Sequence, residues 1–187
     1  MKVFKVVGVS PLLFLIVLMC NSCAGSDLPP PEVVSELDVN RYLGTWYEIA
    51  RLPFSIQDGC VGTTATYELR DDGNIRVINR CYDESFDGDL REAEGKAWIV
   101  DKKTGARLEV QFFWPFTGDY WVLDLGENYE YSLVGTPNYK YLWILSRKSV
   151  MDGETYSGIV ARAKALGYDT EMLIKTEQKK QADQKGE

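Results

Sequence analysis

The sequence predicts an all-β fold, an antiparallel meander of eight strands with a single helix behind it. Three observations predict it: β-type runs separated by turn signals from about residue 43 to 147, one strong hairpin signal among them, and one later stretch with helical period. The first strand is expected at about 44–52. Asp71-Asp72-Gly73-Asn74 then joins Thr63–Leu69 to Ile75–Asn79 as a hairpin, because Asp and Gly tolerate the left-handed backbone that a tight turn needs. Further strands read at about 93–100, 106–113, 120–125, 129–135 and 140–147. Short links between strands favour antiparallel neighbours, either closed on themselves or packed as a sandwich. Asp152–Leu166 has helical spacing, with Asp152 as N-cap, Ile159, Val160, Ala163 and Leu166 on one side, and Gly167 as the stop. Met172–Ile174 is a candidate for a short ninth strand.

Composition bounds the function. The 187 residues are 45% hydrophobic and 26% charged, enough apolar material for one packed domain. Twenty-one Lys and Arg face 28 Asp and Glu, a charge of −7 that opposes binding along a phosphate backbone, so no nucleic-acid partner is expected. There is no His, the residue most used for proton transfer near neutrality and for zinc or haem ligation. No catalytic residue, metal or cofactor is therefore expected. Asp83, Asp87 and Asp89 lack the spacing of a calcium loop, and Gly158 and Gly167 do not form a nucleotide loop.

Residues 1–22 read as an export signal. Lys2 and Lys5 precede an apolar run from Val6 to Met19, and small residues follow it. That run is shorter than the ~20 apolar residues of a spanning helix. A cysteine at the cleavage point resembles the lipobox of bacterial lipoproteins, in which the first mature residue carries lipid. Cys23, between the small residues Ser22 and Ala24, is the expected anchor, with Cys20 behind the bulkier Met19 as the alternative. Ala24 is not the Asp that commonly holds this class at the inner membrane, so the resemblance implies an outer-membrane lipid anchor with the domain facing the periplasm. Removing residues 1–22 takes away two lysines and no acid, leaving 19 bases against 28 acids. Residues 23–37, with Pro29-Pro30-Pro31, read as lipidated terminus and semi-rigid linker, 38–176 as the folded domain and 177–187 as a flexible tail.

Motifs then separate barrel from sandwich. Asn40-Arg41-Tyr42-Leu43-Gly44-Thr45-Trp46-Tyr47 resembles the first signature of the lipocalin family, a Gly-x-Trp-Tyr where the first strand begins. Leu142-Trp143-Ile144-Leu145-Ser146-Arg147 resembles the last, where an Arg ends the eighth strand. Gly126-Glu127-Asn128-Tyr129 stands where the middle signature, usually Thr-Asp-Tyr, belongs, and keeps only its Tyr. The likeness spans about 38–176 and is strongest to bacterial lipocalin lipoproteins. It implies an eight-stranded up-and-down β-barrel with the helix packed outside, Gly44, Trp46 and Arg147 as structural residues at the closed end, and a fatty acid or lysophospholipid as ligand.

Strand alternation then assigns the interior. With Arg147 inward, Leu145, Trp143 and Tyr141 are inward as well, while Leu142 and Ile144 face the helix. Choosing the more apolar or aromatic side elsewhere adds Ala65, Tyr67, Val77, Asn79, Val110, Phe112, Tyr120, Val122, Tyr131 and Leu133 as ligand-binding candidates, with tyrosine hydroxyls toward the mouth. Arg80, Arg91 and Lys140 are candidates to meet an anionic head. Phe112–Phe116 reads as an exposed aromatic loop, fit for a lid, a membrane edge or the contact of a homodimer. Cys60 and Cys81 are an even pair in an exported chain, and a disulfide is the default. The hairpin register opposes it unless there is a bulge, or a bend near Gly59, since Cys81 then falls opposite about Thr64. The rival is a free Cys81 thiol facing the cavity as a nucleophile on a lipophilic substrate, and a third reading is an envelope protein with a filled barrel.

Overall fold

The computed structural model describes residues 28–179. Both Cys20 and Cys23, and the export segment, lie outside the described residues. Eight strands run in chain order: β1 Gly44–Arg51, β2 Cys60–Leu69, β3 Ile75–Asp83, β4 Leu90–Ile99, β5 Arg107–Phe113, β6 Phe116–Leu125, β7 Tyr131–Gly135 and β8 Leu142–Ser146. Each pairs antiparallel with the next, and β1 pairs with both β2 and β8, so the sheet closes into a barrel. A short helix α1, Val39–Tyr42, precedes β1. Helix α2, Gly153–Leu166, follows β8, and a two-residue strand β9, Ile174–Lys175, pairs with β1.

Two apolar layers result. Inside the barrel, Trp46, Tyr67, Val77, Ala97, Leu108, Val122, Val134 and Leu145 form one cluster. Outside it, Leu123, Leu133, Leu142 and Ile144 meet Ile159 and Ala163 of α2. Leu133, Leu142 and Ile144 are fully buried there, and each such side chain contributes roughly 1.5–3 kcal/mol. Asp152 caps α2 by accepting from the Thr155 amide at 2.8 Å, and Gly167 at φ +104° ends it.

The outer layer corrects one strand. Tyr131 and Leu133, expected inside, face outward. Directly paired residues of neighbouring strands share a face, and β7 pairs Leu133 with Ile144 and Tyr131 with Ser146. Since Ile144 lies under the helix, so does Leu133; the inward residues of β7 are Ser132 and Val134. The more apolar side of this strand is its outer side because α2 covers it.

The described parts of the linker and of the tail are bonded to the barrel. In the linker, Pro31 is buried and the Val34 amide donates to the Val122 carbonyl at 3.0 Å. At the other end, residues 177 and 178 are held by three bonds: the Gly62 amide donates to the Glu177 carbonyl at 2.7 Å, and Gln178 Nε2 donates to the carbonyls of Glu48 and Thr63 at 2.8 Å each. The β1–β2 pairing runs only from Gly44↔Tyr67 to Tyr47↔Thr64, and residues 174–178 fill the seam above it.

Cys60 and Cys81 form a disulfide, with Cα atoms 5.4 Å apart. The register shifts by one residue between Val61 and Thr64, where Gly62 sits at φ +63°, and this bulge brings Cys60 toward Cys81. The Cys81 sulfur is thereby committed, and the nucleophile of the enzyme reading is absent. Closing a loop of this length contributes about 3 kcal/mol in the chain-entropy view. Reduction, or Cys81→Ala, is expected to lower the unfolding free energy by about that amount in urea titrations; an unchanged midpoint would show that the bridge adds nothing.

Candidate functional site

The closed end is built around Arg147. Its guanidinium lies 3.8 Å from the centre of the Trp46 ring. Nη1 donates to the Thr45 carbonyl at 3.1 Å, and Nη2 to those of Arg41 and Tyr42 at 2.8 and 3.1 Å. The Trp46 indole N–H donates to the Tyr42 carbonyl at 2.8 Å. Lysine has neither the flat face nor the forked donors to do this. Gly44, at φ +91°, turns the chain from α1 into β1 where the guanidinium passes close by.

Above this plug lies a cavity of about 650 Å³ open at the other end. Of the sequence candidates, Ala65, Tyr67, Val77, Asn79, Val110, Phe112, Tyr120, Tyr141 and Trp143 line it. Val122 points inward but is buried in the inner cluster away from the cavity surface, and Tyr131 and Leu133 are on the outside. Further lining residues were not anticipated. Phe54, Ile56 and Gln57 come from the loop after β1, which has no strand period to read. Glu48 was legible, since it shares the parity of Trp46 in β1, but a search for apolar sides passes over it.

The tyrosines correct the expected polarity of the cavity. Tyr42, Tyr67 and Tyr120 gather at its lower end, not at the mouth: the Tyr120 hydroxyl bonds those of Tyr42 and Tyr67 at 2.7 and 2.8 Å, and Tyr42 reaches Ser132 Oγ at 3.0 Å. Their hydroxyls satisfy one another, so the deep end presents rings rather than open polar atoms. The mouth carries Tyr141, Trp143 and Phe54, with Phe54 edge-on to Tyr141 at 4.9 Å. Phe113, Trp114 and Phe116 stand exposed at the β5–β6 turn, and the two phenylalanines also line the cavity.

The rim cations are already engaged. Arg80 Nε donates to Glu92 at 2.6 Å, and Arg91 donates to Asp83 and to the carbonyls of Asp58 and Ile56. Lys140 sits over the Tyr141 ring and outside the cavity lining. In the upper wall of β1, Glu48 and Arg51 form a buried ion pair at 3.2 Å, and Gln57 links Glu48 (2.7 Å) to the Trp143 indole N–H (2.9 Å). Among the described residues no group of three or more acidic or sulfur side chains is arranged to hold a metal, and no helix is long and apolar enough to cross a membrane.

Burial raises the pKa of Tyr42 from its ordinary value near 10 to about 12, and it raises those of Tyr67 and Tyr120 as well. In the unfolded chain these groups lose protons from about pH 10, while the folded protein keeps them. Stability is therefore expected to be level below about pH 10 and to fall as pH climbs toward 12. Tyrosinate absorbance should show a set of tyrosines that ionise only with unfolding; titration of all 11 near pH 10 in the folded state would contradict the buried cluster.

Comparison with known proteins agrees with this architecture. Residues 37–178 match the family model described as a lipocalin-like domain. The chain is 43% identical over 169 residues to the outer membrane lipoprotein Blc of Vibrio cholerae, covering 89% of this chain and 96% of that protein. It is 44% identical over 157 residues to temperature-induced lipocalin-1 of Arabidopsis thaliana, covering 79% and 82%. Among solved structures, insecticyanin from the tobacco hornworm Manduca sexta superposes with a TM-score of 0.65 at 23% identity, over 82% of this chain and 87% of that one.

Proposed function

The chain belongs to the lipocalin family, and from that membership we propose that it is a membrane-tethered carrier that holds a single-chain lipid, a fatty acid or lysophospholipid, in its barrel for storage, transport and upkeep of the cell envelope. The observation that carries the proposal is the cavity of about 650 Å³, walled mainly by apolar and aromatic side chains, floored by Tyr42, Tyr67 and Tyr120 and open at one end. Its size lies within the range of ~300–1,000 Å³ typical of small-molecule sites. Burying about 14 methylenes at ~0.8 kcal/mol each gives roughly 11 kcal/mol gross, from which association and ordering subtract several. Binding in the micromolar range or tighter follows. Because this energy scales with apolar area and has no direction, chain length is read loosely.

The cysteines before the domain support the tether, with Cys23 as the lipid-bearing residue and Cys20 as the alternative. Similarity to the Vibrio outer membrane lipoprotein supports the outer membrane as the address, the barrel facing the periplasm. Dual or triple acylation binds far more firmly than one chain, so loss of the anchor should be visible as release.

Saturable quenching of tryptophan fluorescence by palmitate or a lysophospholipid is expected, weaker in Trp143→Ala because that indole lines the cavity. Absence of saturation with every lipid tried would return the barrel to the status of a filled scaffold. In cells, Cys23→Ser should move the protein from the membrane to the soluble fraction; if it stays and Cys20→Ser releases it, the anchor is Cys20.

A further inference from the structure

We propose that the barrel lies mouth-down on the lipid surface that holds its tether, with the β5–β6 turn as the contact: Phe113, Trp114 and Phe116 enter the bilayer interface, and the cavity opens onto lipid. This rests on the reading of Cys23 as the lipid-bearing residue, and not on what the cavity holds.

The path of the chain before β1 fixes the end of the barrel from which the tether leaves. Strand directions put the β1–β2, β3–β4, β5–β6 and β7–β8 links at the open end, opposite the Trp46–Arg147 plug. Leu28 and Pro29 lie at that open end. Tyr139, in the β7–β8 link, donates its hydroxyl to the Pro29 carbonyl, and a Cβ placed on Gly167 at the end of α2 would stand 2.9 Å from Leu28 Cδ1. From there the linker runs along the barrel to the closed end. The Val34 amide reaches the Val122 carbonyl at 3.0 Å, and the Leu37 amide reaches the Thr104 carbonyl, in the β4–β5 link, at 2.7 Å.

Distance then decides the orientation. Cys23 stands five residues before Leu28, a reach of at most about 18 Å for a fully extended chain. The ten-residue strands β2 and β6 are on the order of 30 Å long, or ~23 Å along the barrel axis at the usual tilt of ~35–45°. A tether that leaves at the mouth is therefore too short to stand the barrel on its closed end, whereas the mouth is within its reach.

The surface at the mouth suits a bilayer on one side. Phe113, Trp114 and Phe116 are 72%, 85% and 76% exposed, and no other aromatic side chain among the described residues is exposed. Residues 111–118 carry no charge. Tryptophan and phenylalanine favour the boundary between head groups and acyl chains, where an apolar ring is buried without leaving the polar zone. Next to this turn round the rim is the β7–β8 link, where the tether leaves and Lys140 is exposed. Across the rim the β3–β4 link exposes Glu84, Asp87 and Asp89, which an anionic leaflet repels. The barrel therefore tips toward its β5–β8 side. The closed end exposes only the separate aliphatic residues Leu69, Val100 and Val150. Phe113 and Phe116 also line the cavity, so on the carrier reading an acyl chain passes between barrel and bilayer along apolar surface.

The test is tryptophan quenching in the full-length acylated protein, reconstituted in vesicles of phosphatidylethanolamine and phosphatidylglycerol with or without bromine on their acyl chains. Subtracting the signal of Trp114→Phe isolates Trp114 from the cavity residue Trp143. Bromolipid should quench Trp114, and acrylamide in the water should not. A tryptophan placed at the closed end, Leu69→Trp in the Trp114→Phe chain, should show the reverse. Phe113→Ser with Phe116→Ser should cost Trp114 its quenching by bromolipid and open it to acrylamide, with the circular dichroism unchanged. Trp114 open to acrylamide and untouched by bromine in the unmutated protein means a barrel held clear of the bilayer. Trp114 shielded from both means a turn covered by a second copy or folded over its own mouth, and bromolipid quenching at the closed end means the opposite orientation. Each of these three overturns the proposal. A protein whose mass shows no acyl chains, or that does not float with the vesicles, removes the tether reading and the proposal with it, a result distinct from a floating protein whose Trp114 never meets lipid.

Discussion

A single guanidinium organises the lower half of this molecule. Arg147, the residue after β8, lies flat on Trp46 at 3.8 Å and draws the carbonyls of Arg41, Tyr42 and Thr45 onto its N–H groups. The last strand, the first strand and the segment before it are thereby tied at one point. A cation over an indole in a desolvated place contributes on the order of 0.5–2 kcal/mol beyond the area it covers. Its larger effect is geometric: it sets which faces of β1 and β8 look inward. From that parity follow Glu48, Leu145 and Trp143 in the interior, and Leu142 and Ile144 beneath the helix.

The same parity explains what could be read from the chain before its structure. Trp46, Gly44 and Arg147 carry a motif, and Arg147 fixes the parity of β8, whose Leu142 and Ile144 lie beneath the helix. β7 had no such anchor. Its more apolar side, Tyr131 and Leu133, reads as interior, although α2 makes the outer face of this strand as dry as the inner one. The pairing Leu133↔Ile144 would have resolved it, because Ile144 was already fixed as outward. Apolarity marks burial, and in a barrel with a helix against its wall burial occurs on both sides.

Other misreadings share one cause, the lack of period outside strands. Phe54, Ile56 and Gln57 reach the cavity from a loop, and Gly62 creates the bulge that lets Cys60 meet Cys81. Neither a loop's excursion nor a one-residue register shift leaves a repeating trace in sequence. The tyrosines were found but misplaced in depth: Tyr67 stands opposite Gly44 at the closed end, and its hydroxyl joins Tyr120 there instead of meeting water at the rim. The wall proved more polar near the mouth and more aromatic at depth than an apolarity count implies.

The segment that finishes the wall follows all eight strands of the barrel. β1 pairs with β2 over only four positions, and beyond them the gap is occupied by residues 174–178, bonded to Ile49 on one side and to Gly62 on the other. The first stave is therefore sealed to its neighbour by residues more than a hundred positions further along the chain. The wall stays slotted along one side until residues 174–178 are laid into it, so that the soundness of the vessel hangs on a strip far along the chain from the staves it joins.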